Sequence, residues 1–127
     1  MKKRAAILVS SDSGYKGERE DKSGPAIRKI VQEAGYEVTE YEILPDEQEM
    51  LSAWMKRIAD EGRAELILTS GGTGFSRRDC MPEATMQIAQ KVVPGIPEAM
   101  RSYSAQFTKR AMLSRAVCVI RENTLIV

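Results

Sequence analysis

The chain has 127 residues, 43% of them hydrophobic, a net charge of +1, and no histidine. That size and apolar fraction suit one packed domain, and the near-neutral charge argues against a broad electrostatic nucleic-acid surface. The absence of histidine excludes Ser-His-Asp and Cys-His chemistry, and no apolar run approaches the ~20 residues a membrane helix requires. Neither nucleic acid nor a membrane is therefore an expected partner.

The N-terminal Ala5-Ala6-Ile7-Leu8-Val9 run is too short for a signal-peptide core and reads as a strand covered on both faces. Residues 10–21 (SSDSGYKGERED) are polar and predict a loop. Pro25 opens a helical pattern in which Ala26, Ile30 and Ala34 repeat at four, beside Ile27 and Val31, and Gly35 suits the left-handed C-terminal position. Tyr36 to Leu44 alternates as a second strand, broken by Pro45-Asp46. Met50, Leu51, Trp54, Met55, Ile58 and Ala59 mark one face of a second helix, closed by Gly62.

Leu66 to Thr69 predicts a third strand, and Pro82 the first turn of a third helix. Residues 94–97 (PGIP) read as a turn, 98–107 as a fourth helix, and 116–120 and 124–127 as two final strands. Met100, Met112 and Leu113 are expected in the core or at a subunit contact. The strand–helix alternation predicts a three-layer α/β/α sandwich, Rossmann-like, with a mainly parallel sheet and an antiparallel hairpin at one edge. Cys80 and Cys118 form no disulfide framework, which points to a reducing, cytoplasmic compartment.

Open parallel sheets bind ligands beyond the carboxyl ends of their strands. Residues 10–21, Pro45-Asp46 and residues 70–81 leave those ends and hold most of the polar chemistry. After Ser70, the Gly71-Gly72-Thr73-Gly74 turn either offers successive N–H groups to an anion or is a tight connection that needs glycine for its geometry. The helix after it would add a positive dipole end. Arg77 and Arg78 add phosphate donors. The loop is neither a Walker loop nor a dinucleotide fingerprint. Asp79 either holds Mg²⁺ against phosphate, pairs with an arginine, or caps the next helix; Asp46 has a similar choice, with capping as its default. Ser11, Asp12 and Ser13 bind a ligand or make a turn.

The stretch TSGGTGFSRRDCMPEAT resembles the MogA/MoaB molybdopterin-binding family. So do AILVSSDS, DKSGPAI at 21–27, ILPDE at 43–47, PGIPEAM at 94–100 and AMLSRAVCVIRENTLIV at 111–127. The resemblance implies an enzyme of molybdenum cofactor synthesis that transfers AMP from Mg-ATP to the terminal phosphate of molybdopterin. By motif position it implies Asp46 and Asp79 as catalytic and metal-holding residues. It implies substrate contacts at Ser11, Ser70, Gly71, Gly72, Thr73, Gly74, Arg78, Ser104 and Ser114. A homotrimer or hexamer and a MoeA-type molybdate-inserting partner are also implied.

Two departures qualify that expectation. Cys80-Met81 replaces the usual small aliphatic residue and capping threonine. Relatives also continue from the final strand into Asn-Leu-Pro-Gly, which helps form the pterin site, so residues 1–127 are expected to be one domain lacking that segment. The alternative class is a MoaB-like protein that binds molybdopterin without transferring AMP, and a third reading is an unrelated nucleotide-binding domain.

Overall fold

The computed structural model describes residues 2–127. A six-stranded sheet is formed by β1 (Arg4–Ser10), β2 (Glu37–Leu44), β3 (Leu66–Ser70), β4 (Lys91–Val92), β5 (Val119–Arg121) and β6 (Thr124–Ile126), in the order β2-β1-β3-β6-β5-β4. β1 pairs in parallel with β2 and β3, and β3 in parallel with β6. β5 runs antiparallel to β6 and to β4. The helices are α1 (Asp12–Tyr15), α2 (Ser23–Glu33), α3 (Gln48–Asp60), α4 (Met81–Gln87) and α5 (Gly95–Ser104), followed by a 3-10 turn over Lys109–Leu113. The predicted mainly parallel α/β architecture is borne out. The final hairpin also forms, although the edge strand beyond it is β4.

The period of two along each strand divides the sheet into two unequal faces. Ala6, Leu8, Ile67, Val119 and Ile126 join Leu51, Trp54, Met55 and Ile58 of α3 and Met81, Ala84 and Ile88 in the main core. Right-handed crossovers place α2 on the opposite face, where Val31 is buried against β1. This second face is thinly covered. Ala26 and Ala34 are exposed and Ile30 is 66% exposed, so the apolar stripe expected to face inward on α2 is only half used.

Other expectations change in detail. The 10–21 loop contains the helical turn α1, because Ser11 accepts the Gly14 N–H and caps it. PGIP is no free turn: α5 begins at Gly95, and Pro97 is tolerated there because first-turn N–H groups have no intrahelical partner. Residues 116–118 lie outside the ladder, whose strand begins at Val119. Met100, Met112 and Leu113 are exposed within the chain, not in its core. Met81 is not at the capping position of α4: the N-cap is Cys80, which makes no side-chain cap bond, and Met81 is the first helical residue, buried in the main core, where an apolar thioether packs.

The unequal faces make a direct comparison possible. Ile58→Ala, at a fully buried position, should cost about 2–5 kcal/mol of unfolding free energy. Ile30→Ala should stay within about 0.5 kcal/mol of wild type in the same urea titration.

Candidate functional site

The carboxyl ends of β1, β2 and β3 carry a linked set of polar groups. Ser10 Oγ donates to Asp46 Oδ1. The Asp12 N–H donates to Asp46 Oδ2 at 3.1 Å, and the Asp46 N–H donates back to Asp12 Oδ1 at 2.9 Å. Asp46 therefore does not cap α3, whose N-terminus has no side-chain cap bond. Its carboxylate instead turns toward β1.

Asp12 also receives Arg78 in bidentate fashion, from Nε at 3.0 Å and Nη2 at 2.9 Å. The guanidinium and the Asp46 N–H together hold the Asp12 carboxyl down at about 2. Arg78 comes from the glycine-rich connection, so this ion pair ties that connection to the β1 end. Arg77 makes no ion pair among the described residues.

Gly71 and Gly72 have φ of 92° and 72°, a region open to glycine. A Cβ on Gly71 would also collide with the Ser10 carbonyl oxygen. Glycine is thus required by geometry, one of the two sequence readings, and the other also finds support. Among the described residues, no protein acceptor receives the N–H groups of Gly72, Thr73, Gly74 or Phe75. Four successive donors without protein partners have the chemistry of an anion nest.

Asp79 closes the far side of this connection. Its Oδ2 accepts the Ser76 N–H at 3.0 Å, and its own N–H donates to Ser76 O at 3.0 Å. It neither pairs with an arginine nor caps α4. A Cβ on Gly74 would lie 2.8 Å from Asp79 Oδ2, so a larger residue there would displace that carboxylate. Burial, Asp46 and Glu83, with Asp79 adding, push the Cys80 thiol up, which leaves it protonated and a poor nucleophile.

Two depressions meet at Ser70 and Gly71. One, of about 440 Å³, is largely apolar: Ile27, Ile30, Leu68, Met100 and Val117 line it, with Thr73 and Ser114 at polar positions. The other, of about 560 Å³, is more polar: Ser10, Ser11, Arg19, Glu20, Asp21 and Lys22 line it beside Val9 and Ile43. Ser11, Ser70, Gly71, Thr73 and Ser114 thus line these two adjoining depressions. Ser104 is not: it ends α5, accepts the Phe107 and Thr108 N–H groups through its carbonyl, and lines neither depression.

Sequence reasoning missed Ser10, the role of Asp12 as a bridge, and Arg115. Ser10 ends a strand inside the AILVSSDS stretch, but nothing local marks its side chain as a partner of Asp46. Arg115 is a lone cation remote in sequence, yet its N–H donates to Thr73 O at 2.9 Å and its Nε to Gly74 O at 2.8 Å. It falls in the 111–127 stretch that carries the resemblance, yet nothing there but a cation interrupting an apolar segment points to a role.

The profile of a family described as "Probable molybdopterin binding domain" matches residues 6–127. The chain is 39% identical over 123 residues to a molybdopterin adenylyltransferase of Helicobacter pylori J99, covering 95% of this chain and 70% of that protein. It is 38% identical over 125 residues to the Escherichia coli K12 protein of the same name, covering 97% and 64%. Among solved structures, the molybdopterin biosynthesis enzyme MoaB of Thermus thermophilus superposes with a TM-score of 0.89 at 44% identity, covering 98% of this chain and 78% of that one. The tungsten cofactor synthesizing protein MoaB of Pyrococcus furiosus gives 0.84 at 32% identity, covering 98% and 79%.

The Asp12–Arg78 pair has a defined pH signature. A depressed native carboxyl contributes stability that is present above its ordinary value of 3.8 and is lost as pH falls through about 2. Carboxyl NMR should find the Asp12 midpoint near 2 in the wild type, and Arg78→Gln should raise it toward 3.8.

Proposed function

This chain belongs to the molybdopterin-binding domain family, and from that premise we propose that it is a molybdopterin adenylyltransferase of molybdenum cofactor biosynthesis. Its substrates are ATP and molybdopterin. A terminal phosphate oxygen of molybdopterin attacks the α-phosphorus of ATP. The new P–O bond forms as the bond to the bridging oxygen breaks, and pyrophosphate leaves with that electron pair. The phosphate nucleophile is already anionic at neutral pH, so the reaction needs no histidine base.

One observation carries this reading: four N–H groups without protein acceptors follow directly on Gly71, where two depressions meet, and Thr73 among them lines the apolar one. Joining two substrates requires two adjoining sites and charge stabilisation where they meet. The backbone donors at 72–75 suit a phosphate group. The apolar depression suits a flat ring system, and the polar one a charged, hydrogen-bonding ligand. Arg78, held by Asp12, keeps Nη1 as a further donor.

The oxygen donors of Asp46, Asp79 and Ser10 fit Mg²⁺ chemically. Among the described residues no group of three metal-ligating side chains could enclose an ion unaided. Asp46 and Asp79 would therefore hold Mg²⁺ together with ATP phosphates, where it would neutralise their charge.

The exposed Tyr103, Phe107, Met112 and Leu113 supply an apolar surface for a homo-oligomer, a trimer or a hexamer. The product is passed to a molybdate-inserting protein of the MoeA type. Among the described residues no helix is long and apolar enough to cross a membrane, and the free thiols of Cys80 and Cys118 suit the cytoplasm.

The test is mass detection of adenylylated molybdopterin, with pyrophosphate, after incubation of the chain with Mg-ATP and molybdopterin. Product above the no-enzyme control is expected. Asp79→Asn should lower turnover at least 100-fold, on the order of the loss when one transition-state contact is removed, with molybdopterin affinity within about threefold of wild type by calorimetry. A folded wild type that binds molybdopterin and never consumes ATP would instead establish the non-catalytic binding protein.

A further inference from the structure

We propose that Arg115 is a positioning residue that sets the direction of the anion-binding amides in the glycine-rich connection. The inference rests on the adenylyltransferase reading of the same site and deepens it. Arg115 reaches both ends of the connection. Its N–H donates to Thr73 O at 2.9 Å, its Nε to Gly74 O at 2.8 Å, and its Nη2 to Asp79 O at 3.2 Å. Its Nη1 meets Glu83 Oε2 at 2.5 Å in the first turn of α4.

The consequence follows from the planarity of the peptide. In a trans peptide the C=O of one residue and the N–H of the next point in opposite directions, and the described residues contain no cis peptide bond. The bond to Thr73 O is made by the backbone N–H of Arg115 and does not depend on the side chain; the guanidinium's own hold on the Gly74 and Asp79 carbonyls turns the Phe75 and Cys80 N–H groups away from it. The neighbouring plane is fixed in the same manner, because Gly72 O accepts the Met81 N–H at 3.1 Å, which orients the Thr73 N–H. Glycine gives this segment its freedom, and Arg115 removes that freedom in one particular arrangement.

Arg115 is itself held firmly enough for the task. Arg101 Nη1, on α5, donates to Ser114 O at 3.2 Å and Ala116 O at 3.0 Å, on either side of Arg115. The Glu83 carboxyl is held below its usual range by the Arg115 guanidinium, so the partner stays ionised at neutral pH. A planar fork is needed for this geometry. A lysine would keep the charge but offers donors from a single point, and cannot span Gly74 O and Asp79 O together.

The test is an amide NMR titration of ¹⁵N-labelled wild type, Arg115→Ala, Arg115→Lys and Arg121→Ala with inorganic pyrophosphate. Hydrogen exchange of the α3 amides is followed as a record of folding. Arg121 bridges Asp60 away from the site, at 2.8 Å, and controls for the loss of an ordinary ion pair. The expected result is shifts at Gly72 to Phe75 in wild type and Arg121→Ala with equal affinity. Both Arg115 variants should be at least tenfold weaker, with α3 protection intact in Arg115→Lys even if Arg115→Ala is unstable.

Wild-type affinity in Arg115→Lys would show that charge alone matters and overturn the positioning role, while leaving the transferase reading in place. Absence of pyrophosphate shifts at residues 72–75 in the wild type would also overturn it, whatever mass detection then says of AMP transfer.

Discussion

The exchange of hydrogen bonds between Asp12 and Asp46 is the contact around which the site is built. Each residue's backbone N–H donates to the other's carboxylate, which locks the end of β1 to the end of β2. The Asp46 carboxylate is turned away from α3, and both carboxylates are held at the rim of the sheet. Arg78 then uses the same Asp12 to draw in the glycine-rich connection from the end of β3. Three crossover ends are thereby joined through one acid. As an exposed ion pair this contributes little to global stability; its effect is geometric, in holding polar groups where a ligand meets the sheet.

The inequality of the two sheet faces supports this arrangement. The face under α3 and α4 is closely packed and supplies the rigid floor, with Leu8, Leu51, Met55 and Ile67 wholly buried. Such a floor lets a short loop keep a defined shape. The opposite face is only partly covered by α2, which leaves the apolar depression beside Ser70 and Gly71. Rigid packing behind and open space in front occur at the same strand ends. An apolar ligand group and a phosphate can therefore be accommodated within reach of each other.

Much of this is legible from local sequence. Continuous apolar runs mark β1 and β3, a 3.6 period marks α3, and the position of polar loops beyond strand ends locates the site. What local patterns do not carry is partnership across distance. Asp46 reads as a helix cap because it precedes α3, and only the approach of β1 redirects it to Ser10 and Asp12. Arg78 reads as a phosphate donor, and its bidentate pairing with Asp12 is a tertiary contact 66 residues apart in sequence. Arg115 lies in a stretch that carries the resemblance, but no local pattern shows that it reaches Gly74 O and Asp79 O. The half-exposed stripe on α2 marks the other limit, since a periodic apolar face shows that a helix is amphipathic without showing how much of it is covered. The resemblance in sequence motifs places Ser104 among ligand contacts, whereas within this chain it ends α5 away from both depressions.

If Asp12 and Arg78 act as one unit in orienting the site, their effects on AMP transfer must be strongly coupled. The most direct measurement is kcat/KM for adenylylation of molybdopterin by wild type, Asp12→Ala, Arg78→Ala and the double variant. The predicted result is a loss of at least tenfold in each single variant, with the double variant no more than about threefold below the weaker of them. Losses that multiply in the double variant would show that the two residues act independently, and would contradict the bridge as the organising contact of the site.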